Sequence, residues 1–293
     1  MIRHVIAVLG ALVSVALASP AGADSGAWTR GLLWRIEHPG APASHVFGTI
    51  HSSDPRVTVL PPVVADALLA SRSFTLEIQL DDVGRQVFAD AMFLERGDLE
   101  SIIGPEAFGE AARRMQAAGI PPEVTRQLKP WGVLLSLVVP EEEGGVILDH
   151  ELLHRAMQQH KPVYQLESVA EQIALFDDIP LDTQVALLKD ALARFDLLAG
   201  LSGRSLEAWL ARDLQGIWAA SMRMMEGAGP AAEHQRYFIR RVIQGRNVIM
   251  AHRMQARLWE GNAFFAIGAL HLYGDQGVLA RLEREGFRVF VIY

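Results

Sequence analysis

The sequence predicts a mixed α/β protein: a small central β-sheet built from both ends of the chain, with a large helical insertion between the two halves. Three observations carry this. Strand-like apolar runs gather near the two ends. One run at each end leads directly into Gly-x-x-His, at Gly48-Thr49-Ile50-His51 and at Gly268-Ala269-Leu270-His271. Between them, from Asp82 to about Gly261, the apolar periodicity is almost wholly that of helices.

Taken in order, Leu32 to Ile36 and Ser44 to Ile50 are strand-like and flank His38-Pro39-Gly40-Ala41-Pro42, a turn signal, so they predict a hairpin. Asp54-Pro55 marks a loop. A helix follows from Leu60-Pro61-Pro62 to about Ser71, with proline in the first turn where its missing N–H costs nothing. Phe74 to Ile78 is a strand, and it places Glu77 in an otherwise apolar segment. The helical stretch is punctuated at Gly104-Pro105, at Gly119 to Pro122, at Pro140, at Pro180 and at Gly227 to Pro230; Lys161 to Glu167 interrupts it as a short strand. The chain closes with a strand at Phe264 to Ile267, the second Gly-x-x-His, a helix at about Gln276 to Glu285 and a strand at Phe287 to Ile292. Strand, motif, helix and strand thus occur at both ends, the mark of a weak internal duplication.

Residues 1–23 read as a cleaved signal peptide: Arg3 supplies the positive start, Val5 to Ala18 the apolar run, and Ala21-Gly22-Ala23 the small residues of a cleavage site. The run is shorter than the roughly 20 residues of a membrane span, and no later segment reaches that length unbroken. This predicts a periplasmic or secreted protein with no stable membrane anchor after cleavage, residues 24–293 forming a single domain. With no cysteine there is neither disulfide nor thiol chemistry, so stability must come from the core. A formal charge of −7, with no basic stripe, argues against nucleic acid as a partner.

His150-Glu151-Leu152-Leu153-His154 matches the HExxH zinc pattern. At about 100° per residue, Leu152, Leu153, Ala156 and Met157 form the apolar face, and both histidines fall on a flank that water reaches. A zincin needs a third ligand and a cleft; no histidine follows at short spacing, and Glu171 lies across a Pro-containing strand. The favoured reading is a solvated amphipathic helix with Asp149 as its N-cap, a zincin at His150 and His154 being the alternative.

As a string, Gly-x-x-His is weak, since about one match is expected by chance at this glycine and histidine content. Its context is informative. Each copy follows an apolar strand, and the carboxyl ends of strands are where α/β folds place their sites. Glycine permits a sharp turn or a close approach, and histidine then offers a neutral imidazole for a metal or a proton. Glu77 is costly to bury unpaired, so it needs a cation, a metal or a histidine, and the strand ending at His51 is its expected neighbour. Glu167 ends another apolar strand in the same way. Two histidines and two glutamates at strand ends predict a metal site or an acid–base cluster, unless both glutamates simply pair with Arg246 or another cation.

The order of segments resembles the TraB/GumN family, related to the Tiki metalloproteases. The residues that carry the resemblance begin with Leu33-Trp34-Arg35-Ile36, Phe47-Gly48-Thr49-Ile50-His51, Asp54-Pro55-Arg56, Leu60-Pro61 and Leu76-Glu77. They continue through Leu128-Lys129-Pro130-Trp131, Leu148-Asp149, Lys161-Pro162-Val163, Leu166-Glu167-Ser168 and Gln172. Gly245-Arg246-Asn247, Gly268-Ala269-Leu270-His271-Leu272, Gly274 and Gly277-Val278 complete them. The resemblance implies a metal-dependent hydrolytic site of the kind in which Tiki proteins cleave peptide bonds with manganese or cobalt. His51 and His271 would be metal or catalytic histidines, and Glu77 a ligand or general base. Glu167, Arg246 and Asn247 would be supporting polar groups, and Asp149 would begin a helix, which makes the extra histidines of HELLH accidental.

The expected function is an exported metal-dependent hydrolase, a peptidase or amidase using manganese, cobalt or zinc on a peptide or small-molecule substrate. A haem, metal or peptide binding protein using the same cleft, with Tyr273 beside His271 as an axial-type ligand, is the non-catalytic alternative.

Overall fold

The computed structural model describes residues 28–138, 145–225 and 231–293; the expected signal peptide lies outside the described residues. Six strands form one mixed sheet: β1 (Leu33–Glu37), β2 (Ser44–Thr49), β3 (Ser73–Leu76), β4 (Val163–Gln165), β5 (Ala263–Gly268) and β6 (Arg288–Val291). Their spatial order is β4-β3-β5-β2-β1-β6. The pairs β4–β3, β3–β5 and β5–β2 are parallel, whereas β1 runs antiparallel to both β2 and β6. The mixed α/β class and the opening hairpin are therefore as the sequence predicts, with Gly40 at φ +87° in the turn.

The apolar content of each strand explains its place. In β5, Ala263 to Ile267 are all buried with no alternation, as suits a parallel strand covered on both faces. Phe47, Phe264 and Phe74 lie side by side across β2, β5 and β3, with ring centroids 6.3 and 6.2 Å apart. Each buried phenylalanine contributes roughly 1.5–3 kcal/mol to folding. This arrangement corrects one expectation: Glu77 does not neighbour the strand ending at His51, because the wholly apolar β5 takes the middle position between β3 and β2.

The likeness between the two ends is confined to strand, motif and helix. The two Gly-x-x-His strands are parallel neighbours, with Thr49 opposite Gly268. From β2 the chain passes through helix Pro62–Ala70 to β3, one strand beyond β5. From β5 it passes through helix Val278–Arg284 to β6, beyond β2 and β1 on the other side.

The mainly helical span between β3 and β5 is not an appendage. It supplies β4, and its buried side chains join those of the sheet in one contiguous cluster. In helix Leu148–Gln158, Leu148, Leu152 and Ala156 are buried. Met157, expected on that face, is 56% exposed, and the N-cap is Ile147 rather than Asp149, which sits in the first turn. A π-helical turn, Arg240–Gly245, runs directly into helix Arg246–Glu260. Among the described residues no helix is long and apolar enough to cross a membrane.

Candidate functional site

Because β4, β3, β5 and β2 are mutually parallel, their carboxyl ends form one rim. The residues just past those ends are Glu167 after β4, Glu77 after β3, His271 after β5 and His51 after β2. The four side chains singled out in the sequence thus stand in a row along the edge where sites form in open α/β sheets.

Arg246, at the start of helix Arg246–Glu260, reaches into this row and is only 4% exposed. Its Nε donates to Glu167 Oε1 at 2.9 Å, and its Nη2 donates to Glu167 Oε2 and to Glu77 Oε2, both at 2.6 Å. Glu77 Oε1 accepts the Gly268 backbone N–H at 2.6 Å, and Glu167 Oε2 accepts from the Gln172 amide at 2.7 Å. The expectation that both glutamates pair with Arg246 is what the fold contains. Burial disfavours a charged guanidinium, but the Glu77 and Glu167 charges outweigh it and raise the Arg246 pKa.

His271 is fully buried beside them. Its Nδ1 lies 2.6 Å from Asn247 Oδ1, while the Asn247 amide is itself fixed by donating to the Gln276 carbonyl at 2.8 Å. Nδ1 must therefore carry the proton, which leaves the Nε2 lone pair to accept from Arg246 Nη1 at 3.1 Å. Burial, reinforced by the Arg246 charge, holds His271 well below the usual histidine pKa, so it is neutral at physiological pH.

The motif glycines owe their presence to close approach, since neither has positive φ. A Cβ on Gly48 would meet the Leu272 side chain at 3.0 Å and Ala269 Cα at 3.3 Å, so β2 can lie against the 3-10 turn Ala269–His271 only without one. A Cβ on Gly268 would stand 3.1 Å from Glu77 Oε1.

At the β2 end, His51 Nδ1 is 3.6 Å from Asp149 Oδ2, and Asp149 Oδ1 accepts from the Thr49 hydroxyl at 2.8 Å. His150 is near enough that partial burial and the His51 charge lower its pKa, although its ring reaches solvent. The first histidine of HELLH thus stands within electrostatic reach of His51. The rest of that motif is engaged within its own helix: Glu151 pairs with Arg155 at 2.6 Å, and exposed His154 contacts Gln158. Tyr273 stacks on Trp218 with centroids 5.1 Å apart.

Glu77, Glu167, Arg246, Asn247 and His271 therefore form one hydrogen-bonded group, and His51 lies beside Asp149, 3.6 Å away, at the adjoining strand end. Thr49 and Gln172, which the sequence marks only as parts of motifs, prove to be hydrogen-bond partners of Asp149 and Glu167. Sequence reasoning passed over Arg240 and Arg241, although their position just before Gly245-Arg246-Asn247 was a usable signal.

The donor types fit a divalent ion. The Asn247 contact leaves His271 Nε2 unprotonated and 3.9 Å from Glu77 Oε1, so these two atoms would hold the ion, with Arg246 Nη1 withdrawing from the Nε2 lone pair that it now occupies. Two carboxylates against one guanidinium also favour a further cation. Among the described residues no three His, Cys, Asp or Glu side chains are already drawn together as a coordination sphere.

A parallel-stranded rim bearing buried acid, base and guanidinium groups defines an α/β protein with a polar site at the carboxyl edge of its sheet. The profile of the TraB/PrgY/gumN family matches residues 32–290, and the chain belongs to that family. It is similar to the uncharacterised protein YbaP of Shigella flexneri, 27% identical over 246 residues that make up 82% of this chain and 88% of the relative. YbaP of Escherichia coli K12 is 26% identical over the same shares. No solved structure matches the chain.

Proposed function

We propose that the chain is an exported hydrolase of peptide or amide bonds that works with a divalent metal at the rim of the sheet. The observation that carries this reading is the juxtaposition of a neutral, tautomer-fixed His271 and Glu77, 3.9 Å apart, around the buried Arg246 that donates to both. A manganese, cobalt or zinc ion, when bound, supplies acidification of a water at neutral pH.

The chain's own groups divide the remaining work. Asn247 holds the His271 ring with its Nε2 lone pair toward Arg246 and the rim. Glu77 Oε1 accepts one backbone N–H and keeps lone-pair capacity to take a proton from water. Arg246, pinned by Glu167, presents a fixed positive charge where an oxyanion develops. Asp149 sets a carboxylate 3.6 Å from His51 at the adjoining strand end. Export rests on the leader-like residues 1–23 and places the protein in the periplasm or outside the cell.

The test is hydrolysis of a mixed peptide set by purified protein supplied with manganese, cobalt or zinc, beside His51→Ala and His271→Ala. Metal-dependent cleavage lost in both variants is expected; equal rates in all three proteins, or no metal retained by any, overturns the proposal.

A further inference from the structure

Beside the buried network lies a cleft of about 520 Å³, with Glu167 and Arg246 in its floor. Arg240, Arg241 and Arg253 also line it, whereas the chain as a whole is acidic at −7. Apolar surface from Ala174, Leu175 and Ile249 completes the wall. The π-helical turn Arg240–Gly245 explains how one stretch of chain serves both places. Its wider turn offsets the helical register, so Arg240 and Arg241 face the cleft while Arg246 and Asn247 enter the network behind it.

The ion pairs sort these arginines. Arg246 is bound by Glu77 and Glu167. Arg253 pairs with Glu171, whose carboxyl is held down to about 2 by that contact and by the Ser168 backbone N–H. Arg241 donates to the Leu175 and Ala174 carbonyls, both at 2.8 Å, and to Asp178 at 2.9 Å. Arg240 alone of the four has no carboxylate partner among the described residues, and its side chain is exposed at the cleft. One unneutralised guanidinium over an apolar wall matches a single negative charge on a partly apolar body better than a dianion.

We propose that this cleft binds a small organic carboxylate, with Arg240 receiving the carboxylate and Ala174, Leu175 and Ile249 receiving the apolar part. The proposal concerns binding and stands whether or not the rim hydrolyses anything.

The test is calorimetric titration of the full mature chain, without added metal, with N-acetylleucine, with its neutral amide and with inorganic phosphate. N-acetylleucine is expected to bind, with the amide at least ~10-fold weaker, since one charge-assisted contact carries that much affinity. Arg240→Gln is expected to weaken N-acetylleucine ~10-fold, and Ile249→Asp to weaken it comparably, with unchanged melting temperatures because both side chains are exposed. Phosphate is expected not to displace the carboxylate. Absence of binding, equal affinity for acid and amide, full affinity in Arg240→Gln or displacement by phosphate overturns the proposal.

Discussion

Arg246 and Glu77 lie 169 positions apart in the chain, and their side chains meet at 2.6 Å. That contact joins the start of helix Arg246–Glu260 to the carboxyl end of β3, and through Glu167 to β4. The arginine is thus both a structural tie and the charge around which the candidate site is arranged.

Removing that charge should be costly. Arg246→Met leaves the buried Glu167 and the part-buried Glu77 without their cation, and breaking a buried ion pair from one side costs about 3–5 kcal/mol. Urea unfolding at neutral pH should show the loss. The triple variant Arg246→Met, Glu77→Gln, Glu167→Gln should recover much of it. A single variant as stable as the parent would mean that the guanidinium does not hold the two carboxylates.

The Asn247 contact predicts a fixed tautomer. Nitrogen-15 spectra of the His271 ring should show a protonated Nδ1 and a bare Nε2 at neutral pH. In Asn247→Leu the Nδ1–H loses its acceptor and the tautomer should mix or invert, and any metal-dependent activity should fall ~10–100-fold with it. An unchanged ring spectrum would remove Asn247 from its positioning role.

Two glycines should respond in opposite directions to one added methyl group. Gly268→Ala presses a Cβ to 3.1 Å from Glu77 Oε1, an oxygen already held by a backbone N–H, and should cost about 1–3 kcal/mol. Gly109, inside helix Pro105–Ala117, has nothing within 4 Å of the added carbon, so Gly109→Ala should stabilise by about 0.5–1 kcal/mol. Thermal melts of the two variants decide the matter.

Helix Val169–Asp177, just after Glu167, begins with a capping box in which Ser168 and Glu171 satisfy each other's backbone N–H. Ser168→Ala should cost ~1 kcal/mol. The Glu171 carboxyl is lowered from its ordinary value to about 2, first by its Arg253 hydrogen bond. A folded value below the unfolded one stabilises the fold above the unfolded pKa, so the contribution is complete above about 4.5 and is lost as pH falls toward about 2. The stability gap between the parent and Glu171→Gln should accordingly be widest at neutral pH and should narrow through that acid window. A gap independent of pH would show that the carboxylate charge is irrelevant.

The sequence by itself determined the local elements and the identity of the ionisable groups at the rim. The hairpin, the flanking strands and the placement of His51, Glu77, Glu167 and His271 just past strand ends all follow from short-range patterns: period-two or continuous apolar runs, turn residues and motif glycines. The pairing of both glutamates with Arg246 was reachable too, because a carboxylate in an apolar strand demands a partner. The tertiary structure alone decided which strands are neighbours, that β5 separates β3 from β2, that Asp149 lies beside His51 instead of capping its helix, and that a π-helical turn lines a cleft with arginines in front of the network. These depend on contacts between residues far apart in sequence, whose energies are set by packing and mutual burial; no local pattern encodes which partner each buried face or charge will meet.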